Sequence, residues 1–431
     1  MNSQTEATYI KLFDEINERL TSSEFLERHR VRVQDFTRKR CLPFVTLVLF
    51  MLNMLKCSLQ DELDGFFKAL NNTDVAIREV TKSAFTMARK KLKFGAFVEL
   101  NDVQVGHFYE KMKHLTWHGF RILATDGSSA QLYNNEDIIA HFGLWNGHPM
   151  ARISQMFDVL NKVTVDAQIA HKSNGERVLA ALHFEKIGEG DLILMDRGYP
   201  AFWLFALILF QGANFCARMP IGVWGVVDQF IATGLDEQQV ELHPCDKAIK
   251  ECKNRKLSTD PLTVRLIRIE LDDGSVEVLI TSLLDTVAFP ISLFKDLYHL
   301  RWPVEEDYKC LKSRMEVENW SGKSVHAVYQ DFHANIFTKN LTAIIAVPAQ
   351  QQVEEQTDNR KLDYKVNFTN ALSKMKDTVV LLFQRPVISP LLQNLWDLMV
   401  KTIEPIRPGR NSPRNKKSKS RKFAVAYKPI R

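Results

Sequence analysis

No two of the six cysteines in this 431-residue chain are spaced C-x-x-C. That scarcity excludes a disulfide framework and leaves no clean zinc site. The nearest grouping is His243, Cys245 and Cys252, whose spacing fits no zinc pattern. A reducing, cytoplasmic setting is the default for such a chain. Long apolar runs are missing as well. The longest are "CLPFVTLVLFMLNML" from Cys41 and "FWLFALILF" from Phe202. A membrane-spanning helix needs ~20 apolar residues, so both are expected to be buried core helices. The opening "MNSQTEATYIKLFDEINERL" is acidic and amphipathic, unlike a signal peptide. Acids are absent from the last stretch: Arg407 to Arg431 holds ten Lys and Arg and no Asp or Glu. Setting those ten aside leaves 47 basic residues against 51 acidic, a formal −4 for the body, so the net +6 comes from the tail. A tail of this kind suits a polyanion.

At 45% hydrophobic and 25% charged, the chain has the composition of a globular protein with real cores. Its length predicts two or three domains. The pattern up to residue 118 reads as all-helical. "SLQDELDGFFKAL" and "VTKSAFTMARKKLKFGAF" give two short helices with Ser58 and Thr81 as N-caps. The second helix carries Lys82, Arg89, Lys90 and Lys91. A DNA-reading helix pair and a plain helical bundle both explain it.

The period changes after Gly119. "FRILATD" reads as a strand ending in Asp126. "ARISQMFDVL" and "KVTVDAQIAH" alternate about Asn161 and Lys162 as a hairpin. "NGERVLAALHFEKI" is an amphipathic helix. "DLILM" is a fully apolar, central parallel strand that stops at Asp196. A helix in "AFWLFALILF" and a strand in "ANFCARM" follow. The order β-β-β-α-β-α-β is, by analogy, ribonuclease H-like. The predicted fold class is therefore an α/β mixed-sheet core with a β-rich insertion, an all-helical N-terminal domain and a helical C-terminal region. The boundaries are 1–118, 119–330 with the insertion at about 220–288, 331–406, and a basic tail at 407–431. Within the insertion, a hairpin turns at Asp273-Gly274.

If the strands ending in Asp126 and Asp196 are neighbours, two carboxylates meet at strand C-termini, where ligands of open α/β sheets gather. Like charges there repel unless a cation such as Mg²⁺ intervenes. Either Asp alone is as well explained by a turn or a helix cap. A third acid lies in "YHLRWPVEEDYKCLK", Tyr298 to Lys312. As one helix, 100° per residue puts Tyr298, Arg301, Glu305 and Lys312 within roughly 60° of one another. Leu300, Val304, Leu311 and Met315 form the opposite, apolar stripe. Pro303 either kinks that helix or marks its first turn. A simple Glu305–Lys309 pair would account for the acid but not for Tyr298 and Arg301 on the same face.

The spacing Y-x-x-R-x-x-x-E-x-x-x-x-x-x-K, with "TDGS" at Asp126 and "MDRGYP" at Asp196, resembles the insertion-sequence-four family of bacterial DDE transposases over about Leu123 to Lys312. A C-terminal "RPGR…PR" segment is similar to that family's tail. The resemblance implies a metal-dependent cut-and-paste DNA transposase. Its catalytic and metal-binding residues would be Asp126, Asp196 and Glu305, holding two Mg²⁺ ions, with Mn²⁺ as a substitute. Tyr298, Arg301 and Lys312 would contact DNA phosphates, and Trp302 would stack on an extruded base or lie in the core. The implied partners are DNA, as terminal inverted repeats and target, and a second copy of the chain in a DNA-bound dimer. No membrane partner is expected, and the setting is cytoplasmic, at the bacterial nucleoid. Two rivals share parts of this pattern: a metal-dependent nuclease of the same fold, and a non-catalytic DNA-binding repressor derived from a transposase.

Overall fold

The structure is a computed structural model that describes residues 3–271 and 274–407. The chain begins with six helices: α1 (Ser3–Thr21), α2 (Ser23–His29), α3 (Phe44–Leu52), α4 (Leu59–Asn71), α5 (Lys82–Arg89) and α6 (Gly95–Lys111). The apolar run at Cys41 becomes α3, with seven of its nine residues buried. Thr81 caps α5 through its hydroxyl, which accepts from the Ala84 N–H at 3.2 Å. Ser58 occupies the N-cap of α4 but makes no side-chain cap bond. From the first turn, the Glu62 carboxylate accepts the backbone N–H groups of Lys56 and Cys57, both at 2.7 Å, and so fixes the segment that leads into the helix.

The chain divides into two compact units. The first comprises the described residues of 1–113, 131–150 and 309–431. It contains α1 to α6, α7 (Glu136–Phe142), α14 (Val325–Thr357), α15 (Phe368–Gln384) and α16 (Ser389–Val400). Helix α14 packs against α3, α6, α15 and α16. It runs through Pro348, which has no N–H to give to the Ile344 carbonyl. The Tyr9 hydroxyl donates to that carbonyl at 2.9 Å, and Trp396 Nε1 donates to the next one, Ile345, at 2.9 Å. The two rings meet edge to face at 5.4 Å. The proline's missing bond is thus supplied by a side chain more than three hundred residues upstream.

The second unit comprises 114–130 and 151–308. Its helices are α8 (Glu176–His183), α9 (Phe202–Phe210), α10 (Gly225–Thr233), α11 (Asp246–Asn254), α12 (Phe294–His299) and most of α13 (Pro303–Lys309). The strands of the central sheet, of which β2 and the first residues of β3 fall within the first unit, are β1 (Arg121–Gln131), β2 (Leu144–Trp145), β3 (His148–Asp158), β4 (Val163–His171), β5 (Asp191–Met195), β6 (Asn214–Met219), β7 (Glu237–Leu242), β8 (Leu262–Glu270) and β9 (Val276–Thr281). Their order is β2-β3-β1-β5-β6-β9-β8-β7, with β4 on β3. Strand β5 is buried throughout and pairs in parallel with both β1 and β6, as its apolar run Leu192–Met195 requires, while Asp191 at its start pairs with Arg121. This is a ribonuclease H-like mixed sheet with helical N- and C-terminal regions.

One strand expectation changes. Strand β1 does not end at Asp126 but continues to Gln131. What ends there is its pairing with β5, whose last register partners are Thr125 and Met195. The β-rich insertion holds β7, β8 and β9 together with α10 and α11, and β9 pairs antiparallel with β6, so its strands extend the central sheet. The predicted hairpin of β8 and β9 is present. Gly274, in its turn, has φ +78°, a backbone that L side chains rarely adopt. Asp272 and Asp273 lie outside the described residues, as does the basic tail beyond Arg407.

Candidate active site

Three adjacent parallel strands deliver polar side chains in one row. Thr125 pairs with Met195, and Met195 with Ala217. The next residues on β1, after β5 and on β6 are Asp126, Asp196 and Arg218. Arg218 donates to Asp196 Oδ1 through Nη2 at 2.6 Å and Nε at 3.0 Å, and its Nη1 reaches Glu277 on β9. Burial alone would raise the Asp196 carboxyl. The Arg197 N–H and the Arg218 and Arg301 charges outweigh it and hold the carboxyl below the usual range. Reading acids alone misses Arg218. Its signal is present in the sequence: "ANFCAR" brings Arg218 to the end of an apolar strand as "LATD" brings Asp126 and "LILMD" brings Asp196.

The stretch from Tyr298 to Lys312 is not one regular helix. Helix α12 stops at His299, and the chain turns through Arg301 and Trp302 with i to i−3 bonds to Tyr298 and His299. Pro303 then opens α13, where its missing N–H costs nothing. A π-helical turn, Cys310–Arg314, follows. The uniform 100° spacing therefore does not describe the stretch. Tyr298 donates its hydroxyl to Asp196 Oδ1 at 3.3 Å. Arg301 Nη2 donates to Glu305 Oε1 at 3.0 Å. The guanidinium groups of Arg218 and Arg301 lie 5.9 and 5.8 Å from the Tyr298 ring centre. Arg301 is 4% exposed, and its Nε has no hydrogen-bond partner. Trp302 is 52% exposed, which removes the core reading, and its ring stacks on His299 at 5.7 Å. Lys312 belongs to the other unit. It is half-buried, and burial lowers its ammonium pKa while Glu318 opposes the shift.

The backbone at Asp126 is fixed from two sides. Its carbonyl accepts from the Tyr308 hydroxyl at 2.7 Å and the Ser154 hydroxyl at 3.3 Å. Tyr308 stands three residues after Glu305 on α13. The neighbouring Asp307 accepts from Gln155 on β3 at 2.9 Å. The helix that carries Glu305 is thereby tied to the strand that carries Asp126. Ser154 is the end of a buried chain: its Oγ lies 2.9 Å from His183 Nε2, and His183 Nδ1 lies 2.6 Å from Asp166 Oδ2. Serine, histidine and aspartate here are closed off from solvent, with Ser154 and His183 at 0% exposure, so they brace the strand rather than act as a nucleophilic triad.

That brace predicts a pH dependence. Burial would raise the Asp166 carboxyl, but His183 and Lys186 push it down to about 2, against about 3.9 for an unfolded aspartate. A depressed folded pKa contributes stability above the unfolded value and loses it as pH falls through the folded one. Asp166→Asn is expected to cost about 2 kcal/mol at pH 6 and to converge on wild type as pH approaches 2. Urea unfolding across that range checks it. A constant difference at every pH would rule out the ionic role.

The Asp126 carboxyl is pushed up to about 6, first by burial and then by the Glu305 and Glu176 charges, against the Gly127 N–H and Arg301. Surplus negative charge around a hard oxygen donor is what a divalent cation would relieve, so the donor chemistry at Asp126, Asp196 and Glu305 fits Mg²⁺. Asp196 is engaged by Arg218 and Glu305 by Arg301. Among the described residues no three acid, His or Cys side chains are drawn together as a metal cage.

On the first unit, the cations of α5 and of the two residues after it fall into different environments. Lys82 and Lys90 are exposed and Lys91 is half-buried. Arg89 is 3% exposed and bonded to Gln330, Ser321 and Asp331, so it is a structural residue and leaves the DNA-reading set.

Known proteins resemble this chain in sequence. Transposase InsG for insertion sequence element IS4, from Escherichia coli (strain K12), is 24% identical over 289 residues, which are 65% of this chain and 64% of that protein. The chain thus spans just under two thirds of that relative's length. A cryo-EM structure of a piggyBac transposase synaptic complex with hairpin DNA superposes at TM-score 0.46 and 10% identity, over 92% of this chain and 86% of that one. No helix among the described residues is long and apolar enough to cross a membrane. Residues 117–341, more than half of the chain and all of the strand row, match the Transposase DDE domain, and the chain belongs to that family.

Proposed function

We propose that the protein is a DNA transposase that moves its own insertion sequence by cut-and-paste transposition, with Asp126, Asp196 and Glu305 as its catalytic, metal-holding acids. The observation that carries this reading is the register of β1 and β5, which brings Asp126 and Asp196 side by side, with the helix of Glu305 bonded to the Asp126 carbonyl. Two Mg²⁺ ions, or Mn²⁺ in their place, would supply activation of the attacking oxygen and stabilisation of the leaving one. The protein's own part is positioning and charge. Tyr298 and Arg218 orient Asp196, and Arg301 orients Glu305. Arg301 and Lys312 neutralise DNA phosphates, the planar guanidinium being suited to two-point contact. Trp302, exposed beside Arg301, offers a face for an unstacked base.

The reaction is nicking at the element's ends, excision, and joining of the 3′ ends to target DNA. Two ends must be held together, so the working form is a dimer on DNA. The N-terminal helices bind the terminal repeats, with Lys82 of α5 and Lys90 just after it facing solvent. A plasmid carrying the element's ends, incubated with the protein and Mg²⁺, is expected to give both excised element and joined product. Cleavage with no joining would identify a nuclease of the same fold. Binding of the ends with neither product would identify a non-catalytic repressor.

A further inference from the structure

A fourth carboxylate stands against the strand row. Glu176 opens α8, and its side chain lies across the two motif glycines. A Cβ placed on Gly127 would sit 3.0 Å from Glu176 Cγ and 3.1 Å from its Oε1. One placed on Gly198 would sit 3.8 Å from its Oε2. Gly127 follows Asp126, and Gly198 comes two residues after Asp196. The missing side chain at Gly127 is thus what admits the Glu176 carboxylate beside the Asp126 backbone. Arg152, on β3, pairs with Glu176.

An independent observation points to something these groups would bind. Tyr199, in the same "MDRGYP" segment as Asp196, is 2% exposed, and its hydroxyl has no hydrogen-bond partner. The charges that act on it are Asp126, Glu176, Arg152 and Asp196. Arg152 Nε is likewise buried without a partner. Leaving a buried phenol without its hydrogen bond is costly. Carried in the motif of Asp196 and under the influence of the Asp126 and Glu176 charges, it is suited to an oxygen that accompanies a hydrated cation.

We infer that Glu176 is a fourth carboxylate of the divalent-cation site, standing beside Asp126 and paired with Arg152 when no cation is bound. This rests on the reading of Asp126 as a metal-holding acid. Arg152 then competes with the cation for Glu176, and Tyr199 closes the site with its hydroxyl.

Calorimetric titration of Mn²⁺ into the full chain, with no DNA present, tests this. Glu176→Gln is expected to weaken Mn²⁺ binding by about tenfold or more. Arg152→Gln is expected to tighten it, because a competing cation is removed. A purely structural Glu176–Arg152 pair would instead lower the unfolding temperature of both variants and leave Mn²⁺ affinity unchanged, which would overturn the inference. Gly127→Ala gives a second route that keeps every charge. It displaces the Glu176 carboxylate by a few tenths of an ångström and should weaken Mn²⁺ binding; unchanged affinity again overturns the inference. Asp126→Asn separates the two levels. If it weakens binding while Glu176→Gln does not, only the fourth carboxylate is wrong. If neither weakens it, the metal reading of Asp126 fails too.

Discussion

Glu305→Ala is expected to lower cleavage at the element's ends by at least about a thousandfold, or about 4 kcal/mol of barrier, while leaving end binding nearly intact. Binding is assigned to the N-terminal helices and the phosphate-facing cations, none of which the change removes. Cleavage needs an anionic oxygen at this position to hold a cation. The alanine variant also strips Arg301 of its carboxylate partner, and Arg301 is a buried guanidinium. Glu305→Gln separates that effect. Its amide oxygen still accepts from Arg301, so folding is preserved while the negative charge is lost. Both variants should be inactive, and only the alanine should lose stability. A glutamine variant that cuts at the wild-type rate would show that Glu305 is not a catalytic acid. Gel-shift binding and single-turnover cleavage on the same end fragment give both readouts.

Arg89→Ala should be among the most destabilising single changes in the helical unit, at about 3–5 kcal/mol. The guanidinium gives Nε to Gln330 at 2.9 Å, Nη1 to Ser321 at 2.8 Å and Nη2 to Asp331 at 2.8 Å. Asp331 also accepts the Ser321 N–H at 2.6 Å. Removing the arginine leaves Asp331, 8% exposed, with its charge uncompensated inside the protein. The neighbourhood has no slack: a Cβ on Gly322 would approach Ala327 Cβ to 2.7 Å and Arg89 Nη1 to 3.0 Å. Denaturant unfolding with far-UV detection measures the loss. A change below about 1 kcal/mol would mean the network is worth no more than a surface pair. An exposed DNA-contacting arginine would give the opposite pattern, with weakened end binding and unchanged stability.

Local pattern accounts for much of what is legible in the chain. The alternation in β3 and β4, the apolar run of β5 and the order of strands and helices follow from periodicities that each segment carries by itself. The strand order in turn places Asp126 beside Asp196, because a short apolar strand between two crossover connections has few places to go. Elsewhere local pattern misleads. Ser58 has the right residue type for a cap and stands at the N-cap, yet its side chain makes no cap bond. Arg89 reads as one of a row of helix cations, yet it is buried. The stretch from Tyr298 reads as one helix face, yet it breaks before Pro303.

The sequence by itself determined that Asp126 and Asp196 each come directly after an apolar strand segment and that a third acid follows them in a Tyr–Arg–Glu–Lys spacing. Only the tertiary structure decided what those acids touch. Arg218 reaches Asp196 across 22 residues, Tyr298 across 102, and Tyr308 reaches the Asp126 carbonyl across 182. Periodicity is a property of neighbours along the chain. A hydrogen bond between distant residues depends on strand register and on which side chains burial forces to find a partner. For the same reason Glu176 is invisible as a site residue until the absent side chain of Gly127 shows where its carboxylate lies.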